Sequence, residues 1–230
     1  MSFIVIEGLD GSGKSTQVKK LCDYFVQKGL SFEFIHFPDT GEEYFGKLIS
    51  RFLRGEFGSI DEVDAWVVAM FFAGNRWALS STIKQWLEKN KLVLVDRYVF
   101  SNMAYQVAKV LDEDKKQELR QWIYSLEFNK FNIPKPDLSI WLDVPVSFVE
   151  RQLNSTRLGD DRSYLNGVKD IHEDSIHFQK LVYDEYALCY QQFVELKKVI
   201  CYDEAGEMLN ESVIFERLIS VIKESLQINI

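Results

Sequence analysis

The chain has 230 residues but only three cysteines, four prolines and three histidines. Cys22, Cys189 and Cys201 are odd in number, far apart and outside any CxxC or Cys/His spacing. That excludes a disulfide framework or zinc ribbon and implies free thiols in a reducing, cytoplasmic compartment. His172 and His177, five apart, do not share a helical face and are not read as metal ligands. Long apolar runs are also missing. The longest, residues 65–74, reaches about half of the roughly 20 residues that a membrane span needs, and no leader is expected ahead of a first strand that starts at residue 3. Basic residues are short as well: 27 Lys and Arg against 35 Asp and Glu give a net charge of −8. This argues against a nucleic-acid polymer as partner, since such binders carry an excess of cations on one face, while a small anion needs only a local cluster.

What is present is ordinary for a soluble globular protein: 47% hydrophobic and 27% charged residues, in a length that suits one domain over residues 1–230. Near its start stands "IEGLDGSGKSTQ", residues 6–17. The apolar run before it reads as a buried strand. After it, Val18, Leu21, Cys22 and Phe25 recur at helical spacing until Gly29. Gly8-x-x-x-x-Gly13-Lys14-Ser15 therefore lies in a strand-to-helix turn and matches the phosphate-binding loop in full. Glycines let successive N–H groups face inward as an anion nest, and the helix adds its positive end. Lys14 is expected to reach the β- and γ-phosphates of ATP, and Ser15 to ligand Mg²⁺.

Further strands read at 31–36, 91–95, 138–143 and 198–202, alternating with helices at 42–54, 60–90 with a break near Gly74, 100–109, 115–128, 146–153, 171–196 and 211–226. This alternation predicts an α/β fold with three layers, a five-stranded parallel sheet between helices. Residues 128–136, "FNKFNIPKP", are the only linker-like stretch, and polar residues 151–167 read as a lid.

Ligands of open α/β sheets sit at the carboxyl ends of the strands. There the sequence places His36-Phe37-Pro38-Asp39-Thr40-Gly41, Asp96-Arg97-Tyr98 and Asp143. Either Asp96 or Asp143 could hold Mg²⁺ through water, and Arg97 could clamp a phosphate; an Asp–Arg salt bridge is the bland alternative. Phe72 and Arg76 lie one turn apart, able to sandwich and hydrogen-bond a base, although an aromatic on a helix is more often core. Arg151, Arg157 and Arg162 could close over transferring phosphates.

These elements resemble the thymidylate kinases of the nucleoside-monophosphate kinase group. The resemblance rests on "FIVIEGLDGSGKSTQ", "FP" after the second strand, "FAGNRW", "DRYVFSNMAY", "PDLSIWLDVP" and "DDRSY", from residue 3 to about 190. It implies a P-loop kinase fold, transfer of the ATP γ-phosphoryl group to dTMP, and a homodimer. Gly8, Leu9, Asp10, Gly11, Ser12, Gly13, Lys14, Ser15 and Thr16 would hold ATP, with Ser15 and, through water, Asp96 on Mg²⁺. Asp10 would receive the deoxyribose 3′-OH, Phe72 would stack on thymine, Arg76 would hydrogen-bond it, Arg97 would hold the acceptor phosphate and Tyr105 would line the sugar. Phe37, Pro38 and Ser101 complete the dTMP set. Because Gly11, not Arg, follows Asp10, a catalytic cation is expected from the lid, at Arg162 or Arg157. The family's Arg after the second strand is missing from "FPDTG". Lys47, Arg51 and Arg54 share a helical face, and Arg51 is the expected substitute. Related activities with the same fold are phosphorylation of another deoxynucleotide or of a deoxynucleoside, or nucleotide binding without catalysis.

Overall fold

The computed structural model describes residues 2–60, 62–154 and 176–227. Five strands, β1 (Phe3–Glu7), β2 (Phe32–His36), β3 (Leu92–Asp96), β4 (Leu138–Asp143) and β5 (Leu196–Ile200), form one sheet in the order β2-β3-β1-β4-β5. Every pairing is parallel. β1, β3 and β4 are buried along their whole length, which is why they read as continuous apolar runs, while the edge strands β2 and β5 are partly exposed. The expected three-layer α/β/α architecture is what the chain adopts.

The helices are α1 (Lys14–Gln27), α2 (Phe45–Leu53), α3 (Ala65–Glu88), α4 (Val99–Val107), α5 (Glu113–Tyr124), α6 (Val146–Asn154), α7 (Ile176–Gln192) and α8 (Glu211–Leu226). α1 and α8 pack together on the sheet; α3, α4, α5 and α7 form the other packed group, with α2 laid on α3. Their inner faces and the sheet make one large core, and a smaller cluster of Ile49, Phe52, Leu53 and Val68 joins α2 to α3. Among the described residues no helix is long and apolar enough to cross a membrane.

Several boundaries differ from the sequence reading: α2 starts at Phe45 and not at 42, and α7 ends at Gln192 and not at 196, which leaves Leu196 to β5. α3 starts at Ala65, where the Asp64 side chain accepts from the amides of Trp66 and Val67, and runs through Gly74 without a break. Gly74 serves close approach: a Cβ there would collide with the Phe45 ring of α2. β5 lies two residues earlier than expected, because Leu196 and Val199 are the buried positions and Leu196 pairs with Ser139. α5, capped by Asp112, gives way at residue 125 to a π-helical turn, Ser125–Lys130, that turns Glu127 into the interior. The lid expected at 151–167 falls largely outside the described residues, as do Arg157 and Arg162. Of the thiols, Cys189 and Cys201 are buried and pushed up to about 12 by burial, while Cys22 is half-buried.

The α2–α3 crossing also fixes the "FPDTG" loop. Asn75 of α3 accepts from the Asp39 amide and donates to the Asp39 carbonyl, both at 2.9 Å. That carbonyl lies where a Cβ on Gly46 would fall. In Gly46→Ala, overpacking against fixed backbone costs about 1–3 kcal/mol, against at most about 1 kcal/mol gained in helix propensity. The variant is expected to melt several degrees below wild type at unchanged pH; a thermal melt showing equal or higher Tm would contradict this.

Candidate active site

The phosphate loop folds as the sequence implies. Gly8 has φ 151°, and a Cβ on it would lie 3.3 Å from the Leu142 carbonyl and 3.2 Å from Ser12 Oγ; Gly11 and Gly13 sit in left-handed backbone at φ 74° and 82°. Each position favours glycine. Leu9 and Ser12 are buried, while Ser15 and Thr16 are exposed at the start of α1. The Lys14 ammonium donates to the Leu9 carbonyl at 2.7 Å. Burial, with the charge of Arg97, lowers it to about 8 against the pull of Asp96, Asp10 and Glu7.

Arg97 meets this loop. Its backbone is left-handed at φ 68°, and its amide donates to the Ile6 carbonyl at 2.9 Å. Its Nη2 donates to Asp10 Oδ1 at 2.6 Å, and Nη1 to Ser101 Oγ at 3.3 Å. The Tyr105 hydroxyl donates to Asp10 Oδ2 at 2.8 Å and accepts from the Asp10 amide at 2.9 Å. Asp10, Arg97, Ser101 and Tyr105 thus form one network between the loop and α4.

Asp96 is buried beside it, with His36 Nδ1 3.2 Å from Oδ2 and with Oδ1 lacking a hydrogen-bond partner among the described residues. Burial opposes its ionisation, but the hydrogen bond and charge of His36, with Lys14 and Arg97, outweigh that and hold the carboxyl below its usual range. An ionised carboxylate with an open oxygen suits a hard cation such as Mg²⁺. Asp143, the other candidate, is taken up: Tyr183 donates to it at 2.9 Å and Lys198 Nζ lies 3.1 Å away.

On α3, Arg76 is only 2% exposed and donates to Glu127 through Nε at 2.5 Å and Nη2 at 2.7 Å. Asn102 donates to the same carboxylate at 2.9 Å, and its own Oδ1 is buried without a hydrogen-bond partner among the described residues. Phe72 is partly buried against the α2–α3 cluster, and Phe37, before Pro38, packs on Tyr98. Arg51 is not brought to this network. It pairs with Glu56 at 2.8 Å and lies over the Phe57 ring, half-exposed, because the turn after α2 places those partners beside it. A cleft next to the loop is lined by Ser12, Thr16, Gln17, Phe148, Leu209 and Ile214 among others.

The thymidylate kinase family model matches residues 6–212. The chain belongs to the thymidylate kinase family. Relatives include a "Probable thymidylate kinase" of Thermococcus gammatolerans, 34% identical over 202 residues and 86% of both chains. Another of that name from Thermococcus kodakarensis is 31% identical over 92% of this chain and 95% of its own length. The thymidylate kinase of Candida albicans is similar in structure, with a TM-score of 0.68, 27% identity, and coverage of 100% of this chain and 95% of that one.

Within this member of the thymidylate kinase family, sequence reasoning missed Glu7, Asn75, Asn102, Glu127 and Tyr186. Glu7 carried a signal, as a lone carboxylate ending an apolar strand. Asn75 and Asn102 stood inside quoted motifs. Glu127 and Tyr186 had none, since only tertiary packing brings them to the site.

Lys14 yields a pH effect. A free ammonium with a pKa of about 8 is half deprotonated at that pH, and triphosphate oxygens beside it favour the charged form. Nucleoside triphosphate binding at pH 8–9 is expected to take up a fraction of a proton, and to lose that uptake by pH 6.5. Calorimetry in buffers of different ionisation enthalpy measures it; proton release at pH 8–9 would contradict it.

Proposed function

We propose that this chain transfers the γ-phosphoryl group of ATP to dTMP, giving ADP and dTDP. The observation that carries the reading is the 2.6 Å contact between Arg97 and Asp10, which brings a phosphate-holding cation onto the phosphate loop itself. Donor phosphates rest on the loop amides and the α1 N-terminus, with Lys14 against the transferring group. Magnesium, when bound with ATP, neutralises phosphate oxygens; Ser15 and, through water, Asp96 would hold it. The cleft beside Thr16 and Gln17 suits the donor base, being apolar with a few polar groups.

On the acceptor side Arg97 exchanges Asp10 for the dTMP phosphate, freeing that carboxylate for the deoxyribose 3′-OH, with Tyr105 along the sugar. Phe72 stacks on the base. Glu127 immobilises Arg76, and Glu127 with the Ala69 carbonyl takes up the two Asn102 amide protons, so Asn102 presents only an acceptor, which fits the N–H of thymine and rejects cytosine. The homodimer is carried forward from the family alone, and light scattering measures it; a cytoplasmic location rests on the free thiols.

A panel of nucleoside monophosphates with ATP and Mg²⁺ tests the reading. dTMP is expected to lead, dUMP to trail by about 1 kcal/mol in kcat/KM for the missing methyl, and dCMP and purine monophosphates to fail. A panel led by CMP or dGMP would overturn it. Lys14→Ala is expected to lower turnover on the order of 10²-fold or more with the fold intact. Alanine at Arg157 or Arg162 is expected to lower kcat more than ATP affinity, and unchanged turnover in both would remove the lid arginines from the chemistry.

A further inference from the structure

Glu7 ends β1 with its carboxylate fully buried, and no cation pairs with it directly among the described residues. Such a group is costly to keep in a core. Its partners are specific. Oε1 accepts from the Tyr98 amide at 3.1 Å; Oε2 accepts from the Ser101 hydroxyl in a short hydrogen bond and from Tyr186 of α7 at 3.3 Å. A core carboxylate satisfied by three donors is the bland reading, but two of these donors bear on one residue. Tyr98 follows Arg97, whose left-handed backbone persists only if its surroundings over-determine it. The Arg97 amide is held by Ile6 and the next amide by Glu7, so the end of β1 clamps both sides of that turn.

The second link fixes the side chain. A serine hydroxyl has one proton, and here Ser101 donates it to Glu7. Its lone pairs are left for Arg97 Nη1 at 3.3 Å, while the Tyr186 hydroxyl lies 2.8 Å away. A neutral amide in place of Glu7 would donate to Ser101, turn the hydroxyl proton toward Arg97 and oppose the guanidinium. We infer that Glu7 is a positioning residue of the acceptor site, fixing Arg97 from behind through the Tyr98 amide and the Ser101 hydroxyl. The inference rests on the reading of Arg97 as the holder of the acceptor phosphate.

The test is steady-state kinetics on Glu7→Gln, Glu7→Asp, Arg97→Ala and the double variant Glu7→Gln/Arg97→Ala, each first checked for a cooperative thermal transition. Glu7→Gln is expected to raise the KM for dTMP at least tenfold while the KM for ATP stays within twofold, and to add less than twofold to Arg97→Ala. A purely structural carboxylate would move both Michaelis constants or neither, and its effect would persist in the double variant. If Glu7→Gln does not fold, Glu7→Asp decides: its shorter side chain cannot reach both the Tyr98 amide and Ser101, and the same rise for dTMP alone is expected. A dTMP KM within twofold of wild type in the folded variant overturns the role of Glu7 while Arg97→Ala still raises it. An Arg97→Ala enzyme with unchanged dTMP KM overturns the acceptor-site reading and, with it, the inference.

Discussion

The pairing of Ile6 with Asp96, at the carboxyl ends of β1 and β3, is the contact on which the site depends. It is the last rung of the β1–β3 ladder; β1 runs one residue further, where Glu7 pairs with Trp141 of β4, before both chains leave the sheet. β1 leaves through the phosphate loop, and β3 through Asp96-Arg97-Tyr98 into α4. Because the Arg97 amide donates to the Ile6 carbonyl, the two exits begin at a fixed offset from one another. Parallel strands with helices between them always present such a crevice where the connections diverge. Here the divergence lets a loop rich in amide donors and a turn carrying a carboxylate and a guanidinium face one space. Shifting the β1–β3 register by one residue would separate Lys14, Asp10 and Arg97 more surely than most side-chain changes.

A second constraint is electrical. Lys14, Arg97, Glu7, Asp10 and Asp96 crowd into a largely buried region, where an isolated charge is costly. They are kept by shared hydrogen bonds: Arg97 with Asp10 and Ser101, Asp96 with His36, Glu7 with Tyr98 and Ser101. The compensation is incomplete. Asp96 Oδ1 and Asn102 Oδ1 lack partners among the described residues. Unpaired buried acceptors destabilise a fold by about 1–3 kcal/mol each.

How far this was legible follows from the range of each interaction. The phosphate loop reads locally, because its glycines answer to backbone geometry within eight residues, and the central strands read as apolar runs because both faces are covered. Asp96 and Arg97 were legible from their place after a strand. Gly74 misled, since a glycine in a helix looks like a break until the Phe45 ring that fills its side is seen. For Arg51 the pattern reads only one side: sharing a helical face with Lys47 and Arg54 says nothing of Glu56 and Phe57, which the turn after α2 places against it. Glu127 was out of reach, because its meeting with Arg76, 51 residues away, depends on a π-helical turn that no local pattern announces.

The charge count of the described site bears on what must complete it. Leaving aside His36, which pairs with Asp96, three carboxylates, Glu7, Asp10 and Asp96, face two cations, Lys14 and Arg97, while Arg76 is cancelled by Glu127. Burial raises the pKa of Glu7, and even with that carboxyl protonated the count only comes to even. Two phosphorylated nucleotides cannot be brought together there on such a balance, since every phosphate oxygen that enters adds negative charge in a poorly solvated space. Backbone amides and the α1 dipole supply part of the deficit, at fractional charge. The remainder has to come from a divalent cation and from further side chains, and the only arginines that the sequence places between β4 and α7 are Arg151, Arg157 and Arg162.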